Sequence, residues 1–438
     1  MHKGISVFLL GLFIVSAVCC DRAFAVGSGG LKNEVVSAKG MGRASAGVAQ
    51  IDDPAAVYYN PAAMSYLEGN AVTLGYTLEM PRGTGKPTGG GDVSMESQNF
   101  LVPNFYLVDD FGLERFTFGL GYTVPFGLGT DWPDDSYSRY VATESDVKVQ
   151  NINPSVSFKV NDSLAIGFGV NYMVNDVNKY RKFNVTATNT SLDDPAPAAG
   201  DGDFYLKGDD DGWGYNLGVL YKITDSHRVA VAYRSEVDFD ITGTLSLNGL
   251  AGFTALAFGG SGYNTAIESP MTLPEVVTLG YAWDVNDELT IEADLEWTGW
   301  SSIVQDWVKW PNESDGTRLT ILNAGNPASK DWDDVLSFGI GLNYKYSDKM
   351  DLRCGYIFEE NPIPEANFDT ALPDADRHGI TLGFGYKFNS MVMDVAYMAL
   401  FFEDRDVAND VGSASSASID GSYEQFVNIF AFGFTYGY

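Results

Sequence analysis

Residues 336–344 read LSFGIGLNY, in which a large apolar side chain occupies every second position and Ser, Gly or Asn lies between. WGYNLGVLYKI at 213–223 and ITLGFGYKF at 380–388 follow the same pattern. A period of two residues indicates β-strands, because successive side chains of a strand point to opposite faces. Similar segments follow one another from about residue 70 to the end of the chain, so the pattern predicts an all-β fold.

The small residues between the large ones indicate what surrounds the strands. A soluble β-sandwich presents charged side chains to water, whereas these positions are mostly Gly, Asn, Ala and Thr. Small polar residues suit the crowded interior of a barrel, and bulky aliphatic and aromatic residues suit an exterior that faces lipid. We therefore predict a transmembrane antiparallel β-barrel, with a soluble all-β domain as the alternative.

The connections between the predicted strands alternate between short and long. Very short turns recur at 161–162, 225–226, 286–287, 347–348 and 389–390. Long connections lie near 81–96, 125–145, 179–211, 243–272, 301–331, 360–375 and 403–423. In barrels of outer membranes, short turns face the periplasm and long loops face outward. The count gives about fourteen strands over residues 70–438 and places both chain termini on the periplasmic side.

The first 25 residues are typical of a secretory signal peptide. A basic residue precedes the apolar stretch 5–18, and Ala23–Ala25 forms a small-x-small cleavage site. Export is therefore expected, and the terminal Tyr438 resembles the signal read by the assembly machinery of the Gram-negative outer membrane. An uncleaved membrane helix and a lipoprotein anchored at Cys19 or Cys20 are the alternatives.

The charge balance excludes some partners. With 58 acidic and 27 basic residues the net charge is -31, and nucleic acid is excluded because phosphates bind basic surfaces. After residue 26 no run of ~18 apolar residues occurs, so a helical membrane protein is excluded as well. The chain has no heptad pattern, and a monomer is expected.

No set of residues points to catalysis. The histidines are His2, His227 and His378, and an arrangement of Ser, Asp and His378 in a barrel hydrolase is the alternative to a surface histidine. Gly119–Gly121 is followed by no predicted helix, and 209–212 lacks the full ligand spacing of a Ca²⁺ site. We predict a protein that is not an enzyme and uses no cofactor or metal, with a structural or adhesive barrel as a further alternative.

Residues 26–69 precede the first predicted strand and lack its alternation. They are rich in Gly, Ala and Ser. A barrel of about fourteen strands would leak unless something filled it, because strand number sets the diameter. We predict that residues 26–69 form a small hatch, or plug, inside the lumen; a flexible tail in the periplasm is the alternative.

Several short motifs occur in a fixed order. In the predicted hatch they are GMGRASAG at 40–47, the acidic pair at 52–53 and NPAAM at 60–64. This order and spacing resemble the hatch of the FadL-type long-chain fatty acid transporters of outer membranes. Further matches are PFGL at 125–128, YRSEV at 233–237, WTGW at 297–300 and the stretch from Gly355 to Arg377. The resemblance covers essentially the whole mature chain.

The resemblance implies uptake of hydrophobic small molecules by diffusion, without a nucleotide, through a barrel embedded in outer-membrane lipid and lipopolysaccharide. Some family members transport fatty acids and others aromatic hydrocarbons. Long-chain fatty acids are the expectation, and aromatic hydrocarbons or alkanes are the alternative. In the family, the substrate rests in an outer groove, enters a pocket at the hatch and leaves sideways beside a kinked third strand.

The predicted outer loop 243–272 is the candidate groove. It carries Leu247, Leu250, Phe253 and Phe258 near helical spacing. Apolar surface in a loop that faces water marks a binding site. Packing of these side chains against neighbouring loops is the alternative.

Two further candidates lie in the lumen. Arg234 has the inward parity of its strand and could donate to a carboxylate, although an ion pair with Glu236 or a hatch acid is the alternative. Asn60, Pro61 and Ala62 match the family's hatch motif, whose Asn lies near the ligand. A plain turn is the alternative there, because Asn-Pro favours turns.

A lateral opening is predicted between the second and third strands. The third strand carries Gly119 and Gly121 on its inward face and meets Pro125, while the second carries Pro103. Glycine permits a bend, and proline removes a donor from the ladder. We expect interrupted pairing here, and the resemblance implies that substrate leaves through the gap.

Overall fold

The computed structural model describes residues 29–33, 35–67, 69–185, 200–412 and 418–438. The predicted signal peptide and its cleavage site lie outside these ranges. None of the helices within them is long and apolar enough to cross a membrane.

Fourteen antiparallel strands close into one barrel. They are β1 (Ala71–Pro87), β2 (Phe100–Asp109), β3 (Phe116–Asp131), β4 (Glu144–Lys159), β5 (Leu164–Val185), β6 (Gly200–Lys222), β7 (His227–Arg234 and Val237–Asn248), β8 (Gly262–Leu273 and Val276–Asp284), β9 (Leu289–Thr298), β10 (Val335–Ser347), β11 (Met350–Glu359), β12 (Arg377–Phe388), β13 (Met391–Phe402) and β14 (Gly421–Gly437). Each strand pairs with the next, and β14 pairs with β1 along its full length. The predicted fold class and strand number are confirmed.

The strands are longer than a bilayer requires. β5 has 22 residues and β6 has 23, whereas a transmembrane strand needs ~9–11. The ladder between them continues to the pair Lys182 and Asp203 and beyond. The predicted loops at 125–145, 179–211 and 243–272 are therefore shorter than expected, because hydrogen-bonded strands occupy their ends.

Side chains of the barrel wall alternate as the sequence pattern predicted. Leu336, Phe338 and Ile340 point outward and are 45%, 41% and 38% exposed. Gly339 lies between them and faces the lumen, where an added Cβ would lie 2.8 Å from the main-chain oxygen of Ala44. Glycine is needed there because the hatch backbone approaches the wall so closely.

Short helices and strands lie inside the lumen and in the outer loops. The hatch contains α1 (Ala38–Met41), α2 (Ala56–Tyr59) and a 3₁₀ helix (Pro61–Tyr66). The outer loops contain α3 (Gly252–Phe258), α4 (Gly316–Leu322), the 3₁₀ turns Trp300–Ser302 and Glu365–Asn367, and the short strands Val93–Ser94, Gln305–Asp306, Ala328–Ser329 and Arg405–Val407. The outer end of the barrel is the end that carries these loops.

The first described residues lie at the outer end of the lumen. The Gly30 N–H donates to Asp374 Oδ2 at 2.8 Å, and a Cβ on Gly30 would meet the rings of Trp300 and Trp332. The N-terminus, for which the sequence predicts a periplasmic position, lies outside the described residues, and residues of the outer loops hold Gly30. Tyr438 lies at the opposite end, where its hydroxyl donates to Asp109.

Candidate functional site

Strand β9 presents three acidic side chains to the lumen, Glu292, Asp294 and Glu296. They share a face because they occupy alternate positions of a strand. Glu292 accepts a hydrogen bond from Arg43 Nη1 at 3.1 Å, and Glu296 forms an ion pair with Lys32. Both basic partners belong to the hatch, so β9 binds the hatch at two positions along the strand.

The middle carboxylate binds the hatch backbone. Asp294 Oδ2 accepts the N–H groups of Gly47 at 2.8 Å and Val48 at 3.0 Å. The three acidic residues, called the β9 acidic row from here on, therefore attach three separate segments of the hatch to one strand.

The acidic pair of the hatch, Asp52 and Asp53, binds other residues of the hatch. Asp53 accepts from Ser37 Oγ at 2.5 Å and from the Ala55 N–H at 2.9 Å. Burial raises the pKa of the Asp53 carboxyl above its ordinary value. Asp52 pairs with Arg43 at 3.0 Å, so Arg43 connects this pair to the wall.

A partly open cavity lies between the hatch and the inner wall, with ≈ 730 Å³ of empty space that includes open solvent. Its polar lining includes Lys32, Asn216, Arg234, Thr278, Asp294 and Glu296, and its aromatic lining includes Tyr58, Tyr59 and Phe126. This lumen cavity is the candidate substrate site.

The hatch motif has a structural role beside the cavity. Asn60 Oδ1 accepts the Ala62 N–H at 3.0 Å and caps the 3₁₀ helix, while its Nδ2 donates to the main-chain oxygen of Val48 at 2.8 Å. This is the turn geometry that Asn-Pro favours. Asn60, Pro61 and Ala62 are not among the described residues that line the lumen cavity, whereas Tyr58 is.

Arg234 reaches the cavity, as its strand parity predicted. Its Nη1 donates to Asn171 Oδ1 at 2.5 Å, and its Nη2 donates to the main-chain oxygen of Tyr58 at 3.0 Å. The guanidinium also lies 4.2 Å from the centre of the Tyr58 ring. All these partners are neutral, and among the described residues no ion pair joins Arg234 to Glu236 or to a hatch acid.

The other buried arginines among the described residues form ion pairs with acidic side chains, whereas Arg234 does not. Their ion pairs are Arg43 with Asp52 and Glu292, Arg228 with Asp284, Arg353 with Asp351 and Asp394, and Arg377 with Glu359 and Asp374. Arg234 is buried as well, with 7% of its surface exposed. A buried cation without an ion-pair partner is costly; of the two acidic residues that line the same cavity, Glu296 pairs with Lys32 and Asp294 accepts from the hatch backbone.

The candidate groove residues are mostly packed. Leu247 belongs to β7 rather than to a loop, and Leu247, Leu250 and Phe258 are buried together with α4 residues such as Leu322. Three of the four predicted groove residues are therefore packed against neighbouring segments, which was the alternative to an exposed binding groove. Phe253 is 43% exposed on α3, and it presents apolar surface at the outer end.

Pairing between β2 and β3 stops part of the way up the wall. It ends at the pair Phe105 and Tyr122 and, within the described residues, goes no further. Beyond that point β2 pairs with β1, and β3 pairs with β4 through a bulge between Thr123 and Phe126. The wall is therefore interrupted here, and this interruption is called the β2–β3 gap.

The predicted residues of the lateral opening lie in two places. Pro103 lies in the part of β2 that pairs with β1 alone, and Pro125 lies in the β3 bulge. Gly119 and Gly121 lie below the gap, in the paired part of β3, where a Cβ on either would contact Val57 of the hatch. The prolines thus flank the gap, whereas the glycines make room for the hatch.

Hatch residues 31–33 cover the gap from the lumen. The Gly127 N–H donates to Leu31 O, and the Asn33 N–H donates to Pro125 O, both at 2.8 Å. These bonds satisfy backbone groups of β3 that lack a β2 partner. Across the gap itself, the buried side chains of Val102 and Val124 pack together.

His378 lies on the outward face of β12. Its Nδ1 is 2.7 Å from Tyr356 Oη and its Nε2 is 3.2 Å from Glu403 Oε1. Neither ring nitrogen has a serine hydroxyl as its hydrogen-bond partner in the described structure. This geometry matches the surface histidine that the sequence favoured.

Two features of the site were not anticipated from the sequence. The β9 acidic row could have been recognised from the sequence, because acidic residues at the inward positions of a barrel strand need partners in the lumen. Asn171 carries no local signal, because it meets Arg234 across 63 positions of the chain.

Comparison with known proteins adds independent observations. The chain matches the family described as outer membrane protein transport protein (OMPP1/FadL/TodX) over residues 20–438. It is 28% identical over 415 residues to the long-chain fatty acid transport protein of Salmonella typhi, covering 88% of this chain and 90% of that protein.

Solved structures are similar as well. The crystal structure of a Pseudomonas aeruginosa FadL homologue has a TM-score of 0.81 and 22% identity, and the match covers 93% of this chain and 99% of that one. The Ralstonia pickettii toluene transporter TbuX has a TM-score of 0.67 and 20% identity, with coverage of 91% and 97%. At these identities the two structures establish a shared fold.

Proposed function

The chain belongs to the outer membrane protein transport family (OMPP1/FadL/TodX), and on that premise we propose that it takes up long-chain fatty acids by passive diffusion. It is a multi-pass β-barrel of the outer membrane. The proposal includes similar hydrophobic compounds that carry an acidic group. We further propose that it acts as a monomer that contacts outer-membrane lipid and lipopolysaccharide, and that residues 1–25 are a signal peptide and residues 26–69 the hatch.

The observation that carries the proposal is the guanidinium of Arg234. It lines the lumen cavity, it is buried, and its described partners are neutral. A carboxylate would supply the missing counter-ion through a charge-assisted hydrogen bond. The alkyl chain needs no polar partner, because each buried methylene contributes ~0.8 kcal/mol.

The proposed path begins at the outer end and leaves through the wall. Apolar surface around Phe253 and the buried cluster beneath it would receive the alkyl chain first. The lumen cavity follows, and Phe126 of β3 lines it. A second, smaller cavity is bordered by Pro81 of β1 and Leu128 of β3, on both sides of the β2–β3 gap. Lateral exit into the membrane is the last step of this proposal.

Uptake of an aromatic hydrocarbon is the second candidate function. Tyr58, Tyr59 and Phe126 give the lumen cavity three aromatic rings, and aromatic rings pack favourably against one another. Toluene would use these rings and would not need Arg234.

Uptake assays with labelled oleate and toluene distinguish the two candidates. Bacteria that lack their own transporters of this kind would be compared with and without the protein in the outer membrane. Faster entry of oleate with the protein present is the expected result. Faster entry of toluene alone would favour the second candidate, and no change for either compound would contradict both.

A disulfide across the β2–β3 gap is expected to block exit. The side chains of Val102 and Val124 touch without backbone pairing between their strands, so Val102→Cys with Val124→Cys would fix the two edges together. Oxidation is expected to reduce oleate uptake at least about tenfold, and reduction to restore it, because a disulfide holds the two Cα atoms within ~7 Å of each other.

The matched control places a disulfide in a paired part of the wall. Thr73 and Thr435 are partners of β1 and β14, with hydroxyls 2.8 Å apart, and Thr73→Cys with Thr435→Cys is expected to leave uptake unchanged. Cys354 would be replaced by serine in both variants, since it is the cysteine of the described chain. Undiminished uptake through the oxidised Val102 and Val124 variant would rule out exit at this gap.

A further inference from the structure

Two neutral oxygens hold the guanidinium of Arg234. One is the side-chain oxygen of Asn171 on β5, 2.5 Å from Nη1, and the other is the main-chain oxygen of Tyr58 in the hatch, 3.0 Å from Nη2. Dipoles of this kind stabilise a cation without cancelling its charge. The charge of Arg234 is therefore available to the cavity that it lines.

The orientation of Asn171 is itself fixed by neighbouring amides. Asn151 Nδ2 donates to Asn171 Oδ1 at 3.1 Å, and Asn171 Nδ2 points to Asn216 Oδ1 at 3.4 Å. Asn153 Nδ2 donates to the same oxygen of Asn216 at 2.9 Å. All four asparagines are buried. The network turns the carbonyl oxygen of Asn171 towards Arg234, because its amide nitrogen already has a partner.

A second Asn–Arg pair, in which the arginine is buried and the asparagine is half-buried, shows what is particular about the first. Asn343 Oδ1 accepts from Arg353 Nε at 2.8 Å, which resembles the contact at Asn171. Arg353, however, also pairs with Asp394 at 2.6 Å and with Asp351 at 3.2 Å. Its charge is cancelled within the wall, whereas that of Arg234 is not.

We propose that Asn171 is a positioning residue that sets the charge selectivity of the lumen cavity. It directs Arg234 and, because it is neutral, leaves the guanidinium charge for the acidic group of the substrate. An aspartate at this position would keep the hydrogen bond in almost the same shape and would supply a permanent counter-ion. Substrates with a carboxylate would then lose their partner, while uncharged substrates of the same length would not. The inference rests on the proposed function.

The test compares oleate with oleyl alcohol, which differ only in the polar end. Uptake of both would be measured for the full-length protein and for Asn171→Asp in the outer membrane. Oleate uptake at limiting concentration is expected to fall at least about tenfold in the variant, and alcohol uptake to stay within about twofold, because a desolvated charge pair contributes more than 1.4 kcal/mol. A loss restricted to oleate is a readout that general damage to the barrel would not give.

Asn343→Asp is the matched control, since it makes the same change beside an arginine that is already paired. It is expected to leave the ratio of oleate to alcohol uptake unchanged. Asn216→Asp is the second variant, because Asn216 lines the cavity and follows Asn171 in the amide network. It is expected to reduce oleate uptake selectively as well. Folding of each barrel would be checked by its heat-modifiable mobility on gels.

Four outcomes have different meanings. A folded Asn171→Asp protein that takes up oleate as the unmodified protein does would overturn the inference and leave the proposed function intact. Equal losses of oleate and alcohol would also overturn it, since they indicate a structural role. If Asn171→Asp does not fold, an unchanged ratio in Asn216→Asp decides against the inference. If the unmodified protein speeds neither compound, the proposed function itself fails.

Discussion

Bacteria that rely on an Arg234→Met variant are expected to take up oleate about ten- to a hundredfold less readily at limiting concentration, because a buried hydrogen bond to a charged group contributes about 1.5–3 kcal/mol. Methionine fills similar space without charge. Uptake of oleyl alcohol is expected to stay within about twofold, because the alkyl chain supplies most of its binding energy. Initial rates over a range of concentrations would locate the change in apparent affinity.

A control variant tests whether the effect depends on the position of the charge or follows from the loss of any positive charge. Arg82 lies on the exposed face of β1, where its Nη1 donates to the main-chain oxygen of Pro81. Arg82→Met removes the same charge outside the lumen and is expected to leave both rates unchanged. A folded Arg234→Met protein with normal oleate uptake would remove the main support for a carboxylate substrate.

Neutralising two residues of the β9 acidic row is expected to release the hatch. In Glu292→Gln with Asp294→Asn, Arg43 keeps only Asp52 as its ion-pair partner, and the N–H groups of Gly47 and Val48 lose the carboxyl group that accepts both of them. Breaking one buried ion pair costs about 3–5 kcal/mol. The hatch is short and forms few other ion pairs with this side of the wall. We therefore expect the lumen of the double variant to open to water and ions.

Conductance in planar bilayers would measure the effect. The unmodified protein is expected to be nearly closed, because the hatch fills its lumen, and the double variant is expected to show stable ion-conducting openings. Asp394→Asn is the control, since Asp394 is a buried inward carboxylate whose ion pair is with Arg353 of the wall rather than with the hatch. If the double variant folds and stays closed, the β9 acidic row is not what retains the hatch.

The fold could be predicted because its main signal is local. The side chains of Leu336, Phe338 and Ile340 share one face for a geometric reason that needs no knowledge of the rest of the chain. The bounds of the loops were less predictable. Strands β5 and β6 continue above the membrane, where polar residues such as Lys182 and Asp203 no longer alternate with apolar ones.

The site was only partly predictable. Strand parity predicted that Arg234 points inward, and Pro103 and Pro125 predicted the interrupted pairing between β2 and β3. The groove was less predictable. Leu247 and Leu250 have the same apolar character whether they are exposed or packed, and packing depends on α4, which begins 66 residues after Leu250.

The sequence by itself determined the barrel, its number of strands, which face of each strand meets lipid, and membership of a transporter family. These follow from the direction of side chains along a strand and from short motifs, and both are properties of neighbouring residues. Only the tertiary structure decided which buried charges are cancelled. Arg43 and Arg234 look alike in sequence, but the first meets Glu292 and the second meets Asn171. Contacts of this kind depend on the register of distant strands and on where the hatch rests, because the energy of a charge is set by what surrounds it in space.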